Sequence, residues 1–189
     1  MDALLTALLG GLLGGIGDKS QLLALMLSAR FRSDGAVIAG AALAVAANAA
    51  LAAFAGALIG PMLGSQARLL FLALALLMLG GGMLWPVKQP DPLADWPTGP
   101  FLTSALGLFI LGFGDGPQFL ILGIAARTAD PVLAGLGGAL GMMAALIPAI
   151  LLRDQLTRAI SLRALRIGGA AIFLASGLGA AVSALGLID

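Results

Sequence analysis

Gly17-Asp18-Lys19-Ser20-Gln21 stands inside an apolar stretch running from residue 3 to residue 29, and Gly114-Asp115-Gly116-Pro117-Gln118 stands inside another, from 101 to 126. Each stretch exceeds the roughly 20 apolar residues that a helix needs to cross the hydrocarbon of a bilayer. Asp115 follows Asp18 by 97 residues, and the same offset relates Gln118 to Gln21, Leu120 and Leu122 to Leu23 and Leu25, and Ala126-Arg127 to Ala29-Arg30. Further on, Gly137 answers Gly40, and Gly177 and Gly179 answer Gly80 and Gly82. Abundant leucine and glycine can coincide by chance, but a Gly-Asp-x-x-Gln register joined to an Ala-Arg register does not follow from abundance. The chain reads as two copies of one unit, each with an acid inside a hydrophobic span.

Working outward, further apolar stretches fall at 36–63, 69–85, 132–152 and 167–188. With 60% hydrophobic and only 10% charged residues in 189, against about a quarter charged in a soluble domain, the chain has too little interior to hide its apolar surface from water. The expected fold class is an all-α membrane protein of six transmembrane helices. Because each unit holds three spans, the second copy enters the membrane from the opposite side, giving two inverted three-helix repeats, a pattern found in transporters. The expected division is 1–88 for the first repeat, 89–100 for the inter-repeat loop and 101–189 for the second repeat. Trp85 and Trp96 flank the proline-rich seam between the halves, as interfacial aromatics do.

Arg68 and Arg127 fall on the side of the N-terminus, whereas Arg30, Arg32, Lys88, Arg153, Arg158, Arg163 and Arg166 fall on the other. By the positive-inside rule, both termini are expected outside the cytoplasm, in a bacterial inner (plasma) membrane. The first stretch follows Met1-Asp2 without a basic segment or a cleavage pattern, so it is expected to remain as the first helix.

Composition also bounds the chemistry. A net charge of +1 without a basic run gives no footprint for nucleic acid. With no cysteine and no histidine, disulfides, thiolate sites and imidazole ligands are excluded, so any metal must be met by oxygen. No Ser-His or zinc pattern supports a catalytic residue, and no cofactor is implied. Gly17-Asp18-Lys19-Ser20 lacks the spaced glycine and Gly-Lys-Ser/Thr order of a phosphate loop.

Among the charged residues, only Asp18, Lys19 and Asp115 fall well inside the expected spans. Each costs roughly 2.5–3.5 kcal/mol at a helix centre on insertion scales. A pseudo-two-fold axis would bring Asp18 and Asp115 together near the midplane, where inverted-repeat carriers bind their cargo. Two carboxylates suit a hard divalent cation. Gln21 and Gln118, three residues beyond the acids on the same helix face, offer carbonyl oxygens as metal ligands, and Ser20 and Asn48 add others to the transport path. The glycines around each acid and Pro117 favour a local break that frees backbone carbonyls. The same residues also admit a structural reading, with Asp18 paired to Lys19 and the glutamines and Asn48 bridging helices. Met142 and Met143 read as core.

The stretch Gly17-Asp18-Lys19-Ser20-Gln21-Leu22-Leu23-Ala24-Leu25, followed by Ala29-Arg30-Phe31-Arg32, resembles the first signature of the transmembrane protein 165 / Gdt-type family of calcium/manganese-proton exchangers. That signature reads Glu-x-Gly-Asp-Lys/Arg-Ser/Thr and occurs once in each half of a six-helix inverted repeat. Gly112-Phe113-Gly114-Asp115 falls where the second copy belongs, and Asn48, Pro148 and Leu162-Arg163 also fit bacterial members. The signature glutamate is Gly15 in the first copy and Gly112 in the second, and Gly116 and Pro117 replace Lys and Ser/Thr in the second. The resemblance implies a cation site built on the acids of both motifs, here Asp18 and Asp115, and a secondary transporter exporting manganese or calcium in exchange for protons. Competition of proton and cation for the same carboxylate oxygens would couple the two fluxes. The alternative expectation, prompted by the missing glutamates, is a family member that carries another small solute or serves as a non-transporting membrane partner. The expected partners are a divalent cation, protons and the lipid bilayer, and glycine-rich helix faces allow a homodimer.

Overall fold

The structure is a computed structural model that describes residues 1–153 and 161–187. Arg158 and residue 188, used above for the charge bias and the end of the last stretch, lie outside the described residues. The described residues form α-helices and one 3-10 turn, Gly60–Met62, with no strand among them. In chain order the helices are α1 (Asp2–Gly15), α2 (Lys19–Phe31), α3 (Asp34–Ile59), α4 (Ser65–Leu84), α5 (Pro100–Gly112), α6 (Gly116–Thr128), α7 (Pro131–Leu152) and α8 (Leu162–Ala184).

Helices α3, α4, α7 and α8 are each long and apolar enough to cross a membrane. The other two expected spans are not continuous. Residues 3–29 divide into α1 and α2, and residues 101–126 into α5 and α6, the latter pair bent by 68°. At 14 and 13 residues, α1 and α2 reach only about 20 Å each at 1.5 Å per residue. A hydropathy reading averages across a short glycine break and therefore misses it. The chain is thus an all-helical, multi-pass membrane protein, with four long helices and a fifth span if the bent pair crosses as one.

The interior is built of small residues. Ala24, Ala41, Ala134, Ala149 and Ala170 are fully buried, while Leu9, Leu43, Phe54, Leu74, Leu140 and Leu178 point outward. That distribution suits helices that meet closely in lipid, where outer leucines face acyl chains. Met142 is buried and Met143 packs against the core. Helix α1 packs on α7 as α5 packs on α3, α2 touches α7 as α6 touches α3, α3 and α7 meet in the centre, and α4 pairs with α8 at the flank. The close approaches follow the sequence offset. A Cβ on Gly80 would lie 2.9 Å from Leu174 Cγ, and one on Gly177 would lie 2.9 Å from Leu77 Cγ. Between α4 and α5 the chain is held by Arg30, whose guanidinium donates to the carbonyls of Leu93, Ala94 and Trp96.

Candidate functional site

Two breaks create the site, and the sequence explains both. Gly17 and Gly114 take the left-handed backbone, with φ of 70° and 74°, a conformation that glycine adopts without the Cβ penalty. The next residue in each case is an extended aspartate that caps the following helix. Asp18 accepts from the Ser20 amide at 3.3 Å, and Asp115 Oδ1 accepts from the Gln118 amide at 3.0 Å. Aspartate is among the preferred residues at this position because its oxygen satisfies an amide that the helix leaves unpaired. The positive end of the helix dipole also favours a negative charge there. Pro117, in the first turn of α6, sits where its missing N–H removes no helical bond.

The glutamines fasten the breaks. Gly17 N–H donates to Gln21 Oε1 at 2.8 Å, and Gln21 Nε2 donates to the Ala145 carbonyl on α7 at 2.7 Å. In the second unit Gly114 N–H donates to Gln118 Oε1, and Gln118 Nε2 donates to the Asn48 carbonyl on α3 at 3.2 Å. Residues 48 and 145 are themselves 97 apart, so each glutamine grips the equivalent carbonyl across the molecule. Asn48 also donates from Nδ2 to the Phe109 carbonyl at 3.1 Å. Gln21, Gln118 and Asn48 are all buried and do bridge helices, as the structural reading of these residues expects.

Asp18 and Asp115 meet at one cleft of about 180 Å³, which Lys19, Gly116 and Pro117 also line. Ser20, Gln21, Gln118 and Asn48 do not line it, and Ser20 Oγ is buried without a hydrogen-bond partner among the described residues. Asp18 is half-buried and Asp115 is buried. Asp115 Oδ2 has no hydrogen-bond partner among the described residues and lies 3.5 Å from where a Cβ would sit on Gly112. An unpartnered, buried carboxylate oxygen is costly unless a proton or a cation meets it. Among the described residues the only ion pair joins Arg153 to Asp34 at 2.6 Å, so Lys19 does not form one with Asp18.

Sequence reasoning counted Arg166 only in the charge bias and did not bring it to the acids. Helix α8 begins at Leu162, not at 167, and Arg166 lines the same cleft as the two acids. Its guanidinium donates to the Gly17 carbonyl at 2.6 Å and to the Met83 and Trp85 carbonyls at 2.9 and 3.0 Å. The residue 97 positions earlier is Leu69, so the repeat gave no sign of it. The cleft therefore holds two acids and two bases. Among the described residues no cluster of three or more Asp, Glu, His or Cys side chains is present. A cation in the cleft would take at most two carboxylates and complete its shell with carbonyls and water, as small hard cations commonly do.

The sequence matches the family described as Divalent cation/proton antiporter GDT1 over residues 3–91 and 100–186, which take in both breaks. It is 31% identical over 141 residues, 74% of this chain and 70% of the other, to a protein of Vibrio cholerae serotype O1 named "Putative manganese exporter". No solved structure matches the chain. A match of this extent, across both units and both acids, settles the membership, and the family consists of transporters and not enzymes. The chain belongs to the GDT1 family of divalent cation/proton antiporters.

Proposed function

We propose that this antiporter exports manganese, or calcium, from the cytoplasm in exchange for protons, with Asp18 and Asp115 as the carboxylates that carry cation and proton in turn. The observation that carries this reading is the meeting of the two repeat-related aspartates at one cleft, each at the N-terminus of a half-helix. Discontinuous helices that present carboxylates and freed carbonyls recur in secondary transporters. Manganese is favoured by the name of the Vibrio cholerae relative and by an all-oxygen donor set. In this arrangement Gln21 and Gln118 position the acids and their breaks, with Asn48 behind Asp115 and Ser20 beside Asp18. Lys19 limits the negative charge of the cleft.

The same proposal takes the molecule as six spans in two inverted units, 1–88 and 101–189, joined by 89–100. The equivalent glutamine grips, the reciprocal packing of α1 on α7 and α5 on α3, and the mirrored contacts of Gly80 and Gly177 support it. Both termini then lie outside the cytoplasm of a bacterial plasma membrane, supported by the bias of arginines toward the other side. Outward glycines such as Gly81, Gly168 and Gly179, with nothing near a Cβ position, would allow two copies to meet as a homodimer.

Expression in a manganese-sensitive bacterial host should lower cell manganese and restore growth, and Asp115→Asn should do neither. Equal protection by wild type and Asp115→Asn would overturn the assignment of the acid. The chain has no cysteine, so Ser33→Cys and Asp130→Cys, 97 positions apart, provide a clean topology test. An impermeant thiol reagent should reach them from opposite sides, and labelling from one side would overturn the inverted arrangement.

A further inference from the structure

The two breaks share a backbone but not a cover. A Cβ on Gly17 would lie 2.8 Å from Arg166 Cδ, whereas nothing lies within 4 Å of the same position on Gly114. The carbonyl of Gly17, turned out of helical bonding by the break, already accepts from Arg166 Nη1 at 2.6 Å. That oxygen belongs to the residue next to Asp18, which lines the cleft with Arg166, and Arg166 reaches it from 149 positions away. The guanidinium is also anchored at the C-terminal end of α4 through the carbonyls of Met83 and Trp85, so it joins the first break to α4. It nevertheless makes no ion pair with Asp18.

Charge makes this contact consequential. With both acids ionised, Lys19 and Arg166 bring the formal charge of the cleft to zero, and adding a divalent cation would leave two uncompensated positive charges in a cleft where Asp18, Lys19 and Arg166 are half-buried and Asp115 is buried. Within the reading of the cleft as the cation site, on which this step rests, we propose that Arg166 is a built-in counter-ion that occupies the Gly17 carbonyl when cargo is absent and withdraws when a divalent cation binds. Arg166 is thus a positioning residue that tunes cation affinity, not a ligand. A single arginine serves the pair of breaks, because its counterpart Leu69 can neither donate nor carry charge. The fork shape of the guanidinium explains why arginine rather than lysine stands here: it donates to several carbonyls at once without deprotonating.

The test is the manganese dependence of thermal unfolding for the purified full chain in nanodiscs, which yields an apparent Kd because a ligand of the native state stabilises it. Arg166→Gln should tighten apparent manganese affinity at least tenfold while slowing flux, and Arg166→Lys, which keeps the charge, should stay within about threefold of wild type. A purely structural clamp would instead lower the melting temperature of both variants and leave Kd unchanged, which would overturn the proposal. Should the variants fail to fold, the wild type still decides: modification of Arg166 by phenylglyoxal, read by peptide mass, should rise several-fold on adding manganese chloride. Unchanged or reduced modification in protein that manganese stabilises would overturn the proposal and leave the cation site standing. Wild-type protein that neither manganese nor calcium stabilises would bring down the cation-site reading, and this proposal with it.

Discussion

Replacing Gln21 by leucine tests how the breaks are held. The side chain is buried, accepting from Gly17 N–H at 2.8 Å and donating to the Ala145 carbonyl at 2.7 Å. Leucine fills similar volume but leaves the Gly17 amide buried without an acceptor, at a cost of about 1–3 kcal/mol. Losing the grip on α7 adds about 0.6 kcal/mol, the average for side-chain hydrogen bonds between helices in a membrane. The total is roughly 2–4 kcal/mol, and at about 2–4 °C per kcal/mol for a chain of this length it should lower Tm by roughly 4–16 °C. Thermal unfolding in nanodiscs followed by tryptophan fluorescence measures the fall, and hydrogen exchange of the peptide spanning residue 17 locates it. Gln118→Leu should give a fall of similar size, since it removes the equivalent grip on Asn48. A Tm within about 1 °C of wild type, with unchanged exchange at residue 17, would refute the reasoning.

Gly112→Glu, which restores the acid of the family signature, should destabilise the chain because its Cβ would lie 2.9 Å from Asn48 Nδ2. Combining it with Asn48→Ala should recover Tm and tighten manganese binding; a well-folded Gly112→Glu single variant with unchanged Tm would show that Asn48 yields freely. Arg153→Gln breaks the pair with Asp34, but both side chains are about one-third exposed, at 37% and 32%. Its stability loss, measured by the same unfolding assay, should be small, because water and salt screen a pair this exposed.

Much of the site was legible because the repeat doubled its main signal. A Gly-Asp-x-x-Gln register found twice picked out the two acids, and the expectation that a pseudo-two-fold axis brings them together agrees with their lining one cleft. Glycine before aspartate, with Pro117 beyond, also foreshadowed the breaks, although the apolar stretches read as unbroken. Sequence spacing placed Gln21 and Gln118 on the acids' helix face but could not tell which way the amides reach, because their partners on α7 and α3 are fixed only by packing. Arg166 was out of reach altogether: at the edge of an apolar stretch it counts as an ordinary cytoplasmic arginine, and only the pairing of α4 with α8 carries it to Gly17. The alternative reading of Asp18 and Lys19 as an ion pair does not hold among the described residues, because the N-cap geometry turns the carboxylate toward the amide of Ser20.

Manganese flux into proteoliposomes under an imposed pH gradient, with Asp18→Asn and Asp115→Asn alongside, tests the central claim most directly. The account predicts uptake that rises with the gradient, moves protons in the opposite direction, and falls to the level of empty liposomes in either variant. Undiminished, gradient-driven flux in Asp115→Asn, or no flux from folded wild-type protein, would contradict it.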